Sequence, residues 1–288
     1  MRRNPLLLAD IRTLLTSITE SAADWPAGVA ARRDAAVLLL GFAGASRRSE
    51  LVGLTVADVT LHPADGLHVR LRSSKTDQEA HGAVKALPYG RDPVTCPPCA
   101  YVRWRELLHA ADTAAATSGA ARGGAGGRRR AVLRVLHRQA AALPGPAPGG
   151  VTAGAAGGVG EEEQDDGDED RAVLHVCRTS RLPDPADPDR VLFPSVHATG
   201  GIGRKPMTGH AVNEMIRRRA DQAGFTPAQT RLLGGHSLRS GFVTEAFRQG
   251  ADAHAIMRQT GHRSPVMLEV YAREHAPLIG NAVTRLGL

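Results

Sequence analysis

The sequence predicts a mainly α-helical protein with a small antiparallel β-sheet, an α+β arrangement, and three observations carry that expectation. Apolar residues recur at helical spacing in segments towards both ends of the chain. One stretch alternates instead: Leu67, Val69 and Leu71 are interleaved with His68, Arg70 and Arg72, the period-two signature of a half-buried strand. Beyond a turn region at residues 77–82, Val84, Ala86 and Leu87 complete a hairpin. With 288 residues, 42% of them hydrophobic, the chain can bury a sizeable core.

Taken in order, Leu6, Leu7, Leu8, Ile11, Leu14, Leu15 and Ile18 give a packing helix over residues 4–18, with Asp10 near its start. A second helix, from about Ala30 to Phe42, is apolar all round and therefore buried. A third restarts at Ser46-Arg47-Arg48-Ser49-Glu50-Leu51, where Ser46 is the expected cap and Glu50 suits the first turn. Arg47 then stands at a helix N-terminus, where unpaired backbone N–H groups favour an anion and a guanidinium adds a bidentate fork. A salt bridge from Arg47 or Arg48 to a nearby carboxylate is the structural alternative. The hairpin tip carries Ser73, Ser74, Lys75 and Thr76; Lys75 is a solvated surface charge unless the hairpin leans over a phosphate. A helix through Tyr101, Trp104, Leu107 and Leu108 follows.

From Ala110 the composition changes. Residues 110–127 hold thirteen Ala or Gly in eighteen, 144–160 are rich in Pro, Gly and Ala, and 161–170 contain eight acidic residues. Such low complexity predicts a disordered insert over about 110–188, with a short helical island at 128–143. The chain is thus expected to be one domain, 1–288, ordered over about 5–110 and 189–275. Val191, Leu192 and Phe193 resume order as a short strand or turn. Thr208 caps a helix through Val212, Met215 and Ile216 that ends at Gly224; Arg217, Arg218 and Arg219 ride on it and, with Lys205, make a basic stripe suited to DNA backbone contact or simply a solvated face. Ser237 is the expected cap of a helix to Gln249, and a further helix from about Ala253 ends at Gly261. Ser264 and Pro265 mark a last helix start, with Met267, Leu268 and Val270 in the core beside Tyr271.

Charge narrows the function. The formal net charge is +7, and without the eight acids of 161–170 the remainder carries 7 + 8 = +15. A surplus of that size favours an anionic partner, nucleic acid above all, through counterion release. Three cysteines, Cys96, Cys99 and Cys177, are an odd number without a disulfide framework and point to a reducing cytoplasm. Cys96 and Cys99 form a C-x-x-C, but a zinc site needs a second ligand pair, and Pro97 and Pro98 oppose a thioredoxin-type helix start; no metal or cofactor is expected. No stretch has the length and apolarity of a membrane span.

In chain order the sequence supplies Arg47, Lys75, His236, Arg239, His262 and Tyr271. His236 and Arg239 lie three apart at a helix entry, so both reach one anion, and Tyr271 falls nine residues after His262. With the run Gly44 to Leu51, Ser74-Lys75-Thr76 at a hairpin, His236-x-x-Arg239 and Gly261-His262 before Tyr271, the chain resembles the tyrosine recombinase family, the phage integrases and their relatives. The match covers about residues 5–110 and 189–275, the catalytic domain, and the register R-x-S-E-L selects Arg47 over Arg48.

The resemblance implies the fold of that catalytic domain and DNA cleavage through a 3'-phosphotyrosine. In it Arg47 and Arg239 clamp the scissile phosphate, Tyr271 attacks, Lys75 protonates the leaving 5'-oxygen, His236 assists proton transfer with the tyrosine, and His262 donates a hydrogen bond to the phosphate. It further implies double-stranded DNA as partner, a homotetramer on paired DNA sites, a nucleoid-associated location, and no cofactor. The family's N-terminal core-binding domain is expected to be absent, so that a separate domain or chain completes the DNA clamp. Residues 276–288, with Leu278, Ile279, Val283 and Leu286, are expected to pack on a neighbouring subunit. A catalytically silent DNA-binding remnant of a mobile element, and a type IB topoisomerase-like relaxing enzyme, are the alternatives.

Overall fold

The computed structural model describes residues 4–20, 25–72, 82–118, 124–141, 175–185, 187–262, 264–266 and 268. Helix α1 (Leu8–Glu20) buries Ile11, Leu14, Leu15 and Ile18 on one face, as its spacing predicts. Helix α2 (Ala27–Ala43) is buried along nearly its whole length and is the central strut. It contacts α1, the short α3 (Arg48–Gly53), α4 (Pro97–Ser118) and α9 (Gly235–Arg248). Val37 to Phe42 meet that position with apolar side chains, while the buried Arg32, Arg33 and Asp34 of its first half are each hydrogen-bonded.

The sheet has one strand more than the hairpin predicts: β1 (Val59–His62), β2 (Gly66–Leu71) and β3 (Ala83–Leu87) run antiparallel in that order. In β3 the lysine faces inwards and the valine outwards. Val84 is 64% exposed, whereas Lys85, cross-strand from buried Val69, is 4% exposed and shares the inner face with Leu87. Parity with Leu87 decides this, because a strand cannot turn Leu87 inwards without Lys85.

The low-complexity insert does not begin where composition alone places it. Helix α4 continues to Ser118, and α5 (Gly124–Ala141) folds back against it. Val132 and Leu136 are each 1% exposed, and Gln139 bridges α5 to the body, donating to Arg103 O at 3.0 Å and accepting from Arg32 Nε at 2.9 Å. The physical reason is that alanine, which makes the composition look simple, is also the strongest helix former. Residues 142–174, including the acidic run, lie outside the described residues. The chain is picked up again at α6 (Val176–Thr179).

The C-terminal part contains a two-stranded sheet, β4 (Pro194–Val196) and β5 (Ile202–Pro206), then α7 (Gly209–Gln222), α8 (Pro227–Arg231), α9 and α10 (Ala253–Thr260). Thr208 caps α7 by accepting from Ala211 N at 3.1 Å. Ser237 does not cap α9 as expected. The helix starts three residues earlier, at Gly235, and Ser237 Oγ accepts from Gly234 N at 3.1 Å from inside the first turn. Val243, Ile256 and Leu268 form a small second core beside α9 and α10, and Leu268 N–H donates to Pro265 O at 2.8 Å.

The expected basic stripe on α7 is taken apart. Arg219 is 6% exposed and, with Arg33 and Arg218, surrounds the fully buried Asp34 of α2 at 2.7–3.0 Å. Arg217 donates to Leu233 O and pairs with Glu214. Lys205, on β5, is exposed. Arg219 therefore ties α2 to α7, because a buried carboxylate needs several donors. No helix among the described residues is long and apolar enough to cross a membrane.

Candidate active site

The site is built on the C-terminal end of α2. Three successive carbonyls there each receive a polar side chain from a different element: Gln259 Nε2 donates to Ala43 O, Lys85 Nζ to Gly44 O and Arg239 Nη1 to Ala45 O, all at 2.7 Å. A helix C-terminus offers unpaired carbonyls and the negative end of the dipole, which suits cations. Ala45 adopts φ +44°, the left-handed region, which costs an L residue about 1–2 kcal/mol. The turn places Arg47 immediately ahead of α3 in extended conformation.

Arg47 N and Nη1 both donate to Glu50, at 2.9 and 2.6 Å, closing the first turn of α3. Lys85 Nζ lies 3.6 Å from Oε2 of that carboxylate. Burial alone would raise the Glu50 pKa, but Lys85 and the hydrogen bonds of Arg47 hold it below its ordinary value. Lys85 is pushed down to about 8, by burial first and then by Arg239 and Arg47 acting against the attraction of Glu50. Arg48 points elsewhere: it is exposed and its Cδ passes close to Gly209 at the start of α7. Of the two adjacent arginines, Arg47 is the one at the cluster.

Arg239, one turn into α9, is 3% exposed. Besides Ala45 O it donates through Nη1 to Thr260 O at 2.7 Å and through Nη2 to His262 Nε2 at 2.9 Å. Gly261 makes the last contact possible. Its φ of +68° ends α10 in the left-handed conformation and turns His262 back towards α9. A guanidinium only donates, so Nε2 of His262 is the acceptor; Nδ1 then carries the proton and donates to Thr260 Oγ1 at 2.9 Å, which donates to Ile256 O at 2.8 Å. Burial, followed by Arg239, Arg47, His236 and Lys85, lowers the His262 pKa to about 4. His236, on the first turn of α9, is exposed at the rim, and partial desolvation together with Arg239 lowers its pKa.

Arg47 and Lys85 thus share the Glu50 carboxylate, and Arg239, with the imidazoles of His262 and His236, stands beside them. A cationic cluster of this kind can hold an anion, and the fork of Arg239 is already held by backbone carbonyls so that little ordering is left for a ligand to impose. Among the predicted residues, Arg47, His236, Arg239 and His262 are brought together, while Lys75 and Tyr271 lie outside the described residues. Lys85 and Thr260 were not predicted. The signal for Lys85 was its parity with Leu87; Thr260 carried none, because its contact depends on the turn at Gly261.

Residues 168–276 match the phage integrase family. This span contains His236, Arg239, His262 and Tyr271. An integrase/recombinase XerD homologue from Selenomonas ruminantium is 26% identical over 254 residues, covering 88% of this chain and 51% of that protein. The chain therefore spans about half the length of this curated relative. Among solved structures, the XerH site-specific recombinase in a post-cleavage complex with a palindromic difH substrate superposes with a TM-score of 0.49 at 14% identity, over 99% of this chain and 53% of that one. The XerA recombinase gives a TM-score of 0.49 at 15% identity, over 99% and 66%. The Tn1549 transposon integrase with transposon right end DNA gives 0.43 at 18%, over 94% and 61%.

Proposed function

We propose that this chain is a member of the tyrosine recombinase family and the catalytic part of a site-specific DNA recombinase or integrase, cutting and rejoining strands through a 3'-phosphotyrosine. The observation that carries the reading is the convergence of Arg47, Arg239 and His262, with Lys85 behind them, on one anion site beside α9. Arg47 and Arg239 clamp the non-bridging oxygens of the scissile phosphate and stabilise the charge of the pentavalent state. In the ligand-free arrangement His262 Nε2 accepts from Arg239, the part a phosphoryl oxygen plays when DNA is bound. Displacing it lets Nε2 take a proton and donate to the phosphate. Tyr271 is the nucleophile, Lys75 the acid for the 5'-oxygen, and His236 exchanges a proton with the tyrosine. Lys85 keeps Glu50 neutralised so that the charge of Arg47 remains for the substrate.

The partner is double-stranded DNA, engaged as a homotetramer on paired sites, with a further domain or chain completing the clamp and Lys205 contacting backbone phosphates. Work on the nucleoid is consistent with that substrate. The test uses nicked suicide duplexes drawn from a randomised-sequence pool, with covalent protein–DNA adducts isolated under denaturing conditions and sequenced. Wild type forms adducts enriched in one sequence, and Tyr271→Phe forms none while retaining DNA. Absence of wild-type adducts under conditions of demonstrated DNA binding refutes the proposal. Relaxation of plasmid irrespective of sequence assigns the chain to topoisomerase-like chemistry instead.

A further inference from the structure

We infer that Cys96, Cys99, His175 and Cys177 form a tetrahedral Cys3His site for a structural zinc ion, which fastens the chain at residue 175 to the start of α4. The C-x-x-C of the sequence lacked a second ligand pair only because that pair stands 76 residues further on, as His175-x-Cys177. All four residues are buried, none more than 6% exposed. The prolines between the cysteines do not prevent a helix: α4 begins at Pro97, with Cys96 just before it and Cys99 in its first turn.

The spacing fits a metal rather than a chance cluster. Zinc with Zn–S of about 2.3 Å and Zn–N of about 2.0–2.1 Å in tetrahedral geometry requires S···S edges of about 3.8 Å and S···N edges of about 3.5 Å. The sulfurs of Cys96 and Cys177 are 3.9 Å apart, those of Cys99 and Cys177 3.3 Å, and His175 Nδ1 lies 3.4 Å from Cys99 Sγ and 3.9 Å from Cys177 Sγ. All four donor atoms lie within 4.8 Å of one another. A disulfide would use two of the sulfurs and leave a third thiol and an imidazole buried beside it without a purpose.

The surroundings are those a metal site needs. His175 Nε2 faces Arg91 O at 3.4 Å, which places the ring proton on Nε2 and turns the Nδ1 lone pair towards the sulfurs. Gly90 N donates to Cys96 Sγ at 3.3 Å, the backbone contact that stabilises a thiolate. A Cβ at Gly90 would stand 2.8 Å from Cys96 Cα, so only glycine lets this turn wrap the sulfur so closely. Three soft thiolates and one imidazole select zinc over hard cations, and four protein ligands in a closed, buried set leave no open position for catalysis. Binding releases the thiol protons, and its free energy adds to folding. The ion would join the β3–α4 turn to His175 and the start of α6.

The experiment is metal analysis of the tag-free full chain purified with reductant. The expected result is about one zinc per chain. Replacement by cobalt should give the visible ligand-field bands of a tetrahedral ion with thiolate charge transfer. His175→Cys, which keeps four ligands, should retain the metal, and His175→Ala and Cys177→Ser should lose it; removing zinc from wild type with a chelator should lower the melting temperature reversibly. Wild-type protein that holds no stoichiometric zinc after reduction, reconstitution and dialysis overturns the inference whatever the variants do. So does an iron–sulfur chromophore, or a Cys99–Cys177 disulfide that forms in place of zinc uptake. None of these readouts depends on DNA cleavage.

Discussion

Replacing Lys85 by methionine separates the cost of a buried charge from the value of its hydrogen bond. Burial, Arg239 and Arg47 together outweigh the attraction of Glu50 and bring the Lys85 pKa from 10.5 to about 8. In the unfolded chain the ordinary value applies. Below pH 8 both states hold the proton and the folded state bears the whole penalty, about 3 kcal/mol for this shift at about 1.36 kcal/mol per unit. Between pH 8 and 10.5 the unfolded chain binds more protons than the folded one, so this residue's contribution to stability rises with pH and levels off above that window. Methionine has a similar length and no charge. It removes the penalty but leaves the buried Gly44 carbonyl without its donor, a loss of about 1–3 kcal/mol. At pH 7 the two effects nearly cancel, and Lys85→Met stays within about 2 kcal/mol of the parent. At pH 10.5 only the loss remains, and the variant is the less stable protein by about 1–3 kcal/mol. Urea unfolding of both proteins across this range measures the difference directly. A difference that does not change between pH 8 and 10.5 refutes the assignment of Lys85 as a buried, destabilised cation.

Two further outcomes follow from the geometry. Asp34→Asn removes the charge that Arg33, Arg218 and Arg219 share, leaving buried cations uncompensated; the expected loss is about 3–5 kcal/mol, seen as a fall in melting temperature on the order of 10 °C. An unchanged melting temperature would show that the cluster does not hold α2 to α7. For His262 the folded pKa of about 4 lies below the ordinary 6.5, so the imidazole is neutral at pH 7 and protonating it costs stability as pH falls through that window. Sulfate bound between Arg47 and Arg239 attracts a proton to Nε2 and raises the pKa. An NMR titration of the His262 ring should show its midpoint move upwards with sulfate, and a midpoint that stays put would mean that the ring does not face the anion.

The family resemblance chose Arg47, His236, Arg239 and His262 as neighbours, while the sequence alone determined the helical face of α1, the burial of α2 and the strand alternation in β2. Each rests on local periodicity or on a helix boundary, which are properties of a few adjacent residues. Tertiary structure decided the rest. Lys85 reads as an outward charge on a strand until Leu87 is placed in the core, and Arg219 reads as a surface cation until Asp34 arrives from α2, 185 residues away in the chain. The neutral tautomer of His262 follows from Arg239 and Thr260 meeting it at once, which no spacing encodes. The C-x-x-C at Cys96 looked incomplete for the same reason. Its other half is separated from it by two helices and a long insert, and only folding brings His175 and Cys177 within bonding reach of the same point.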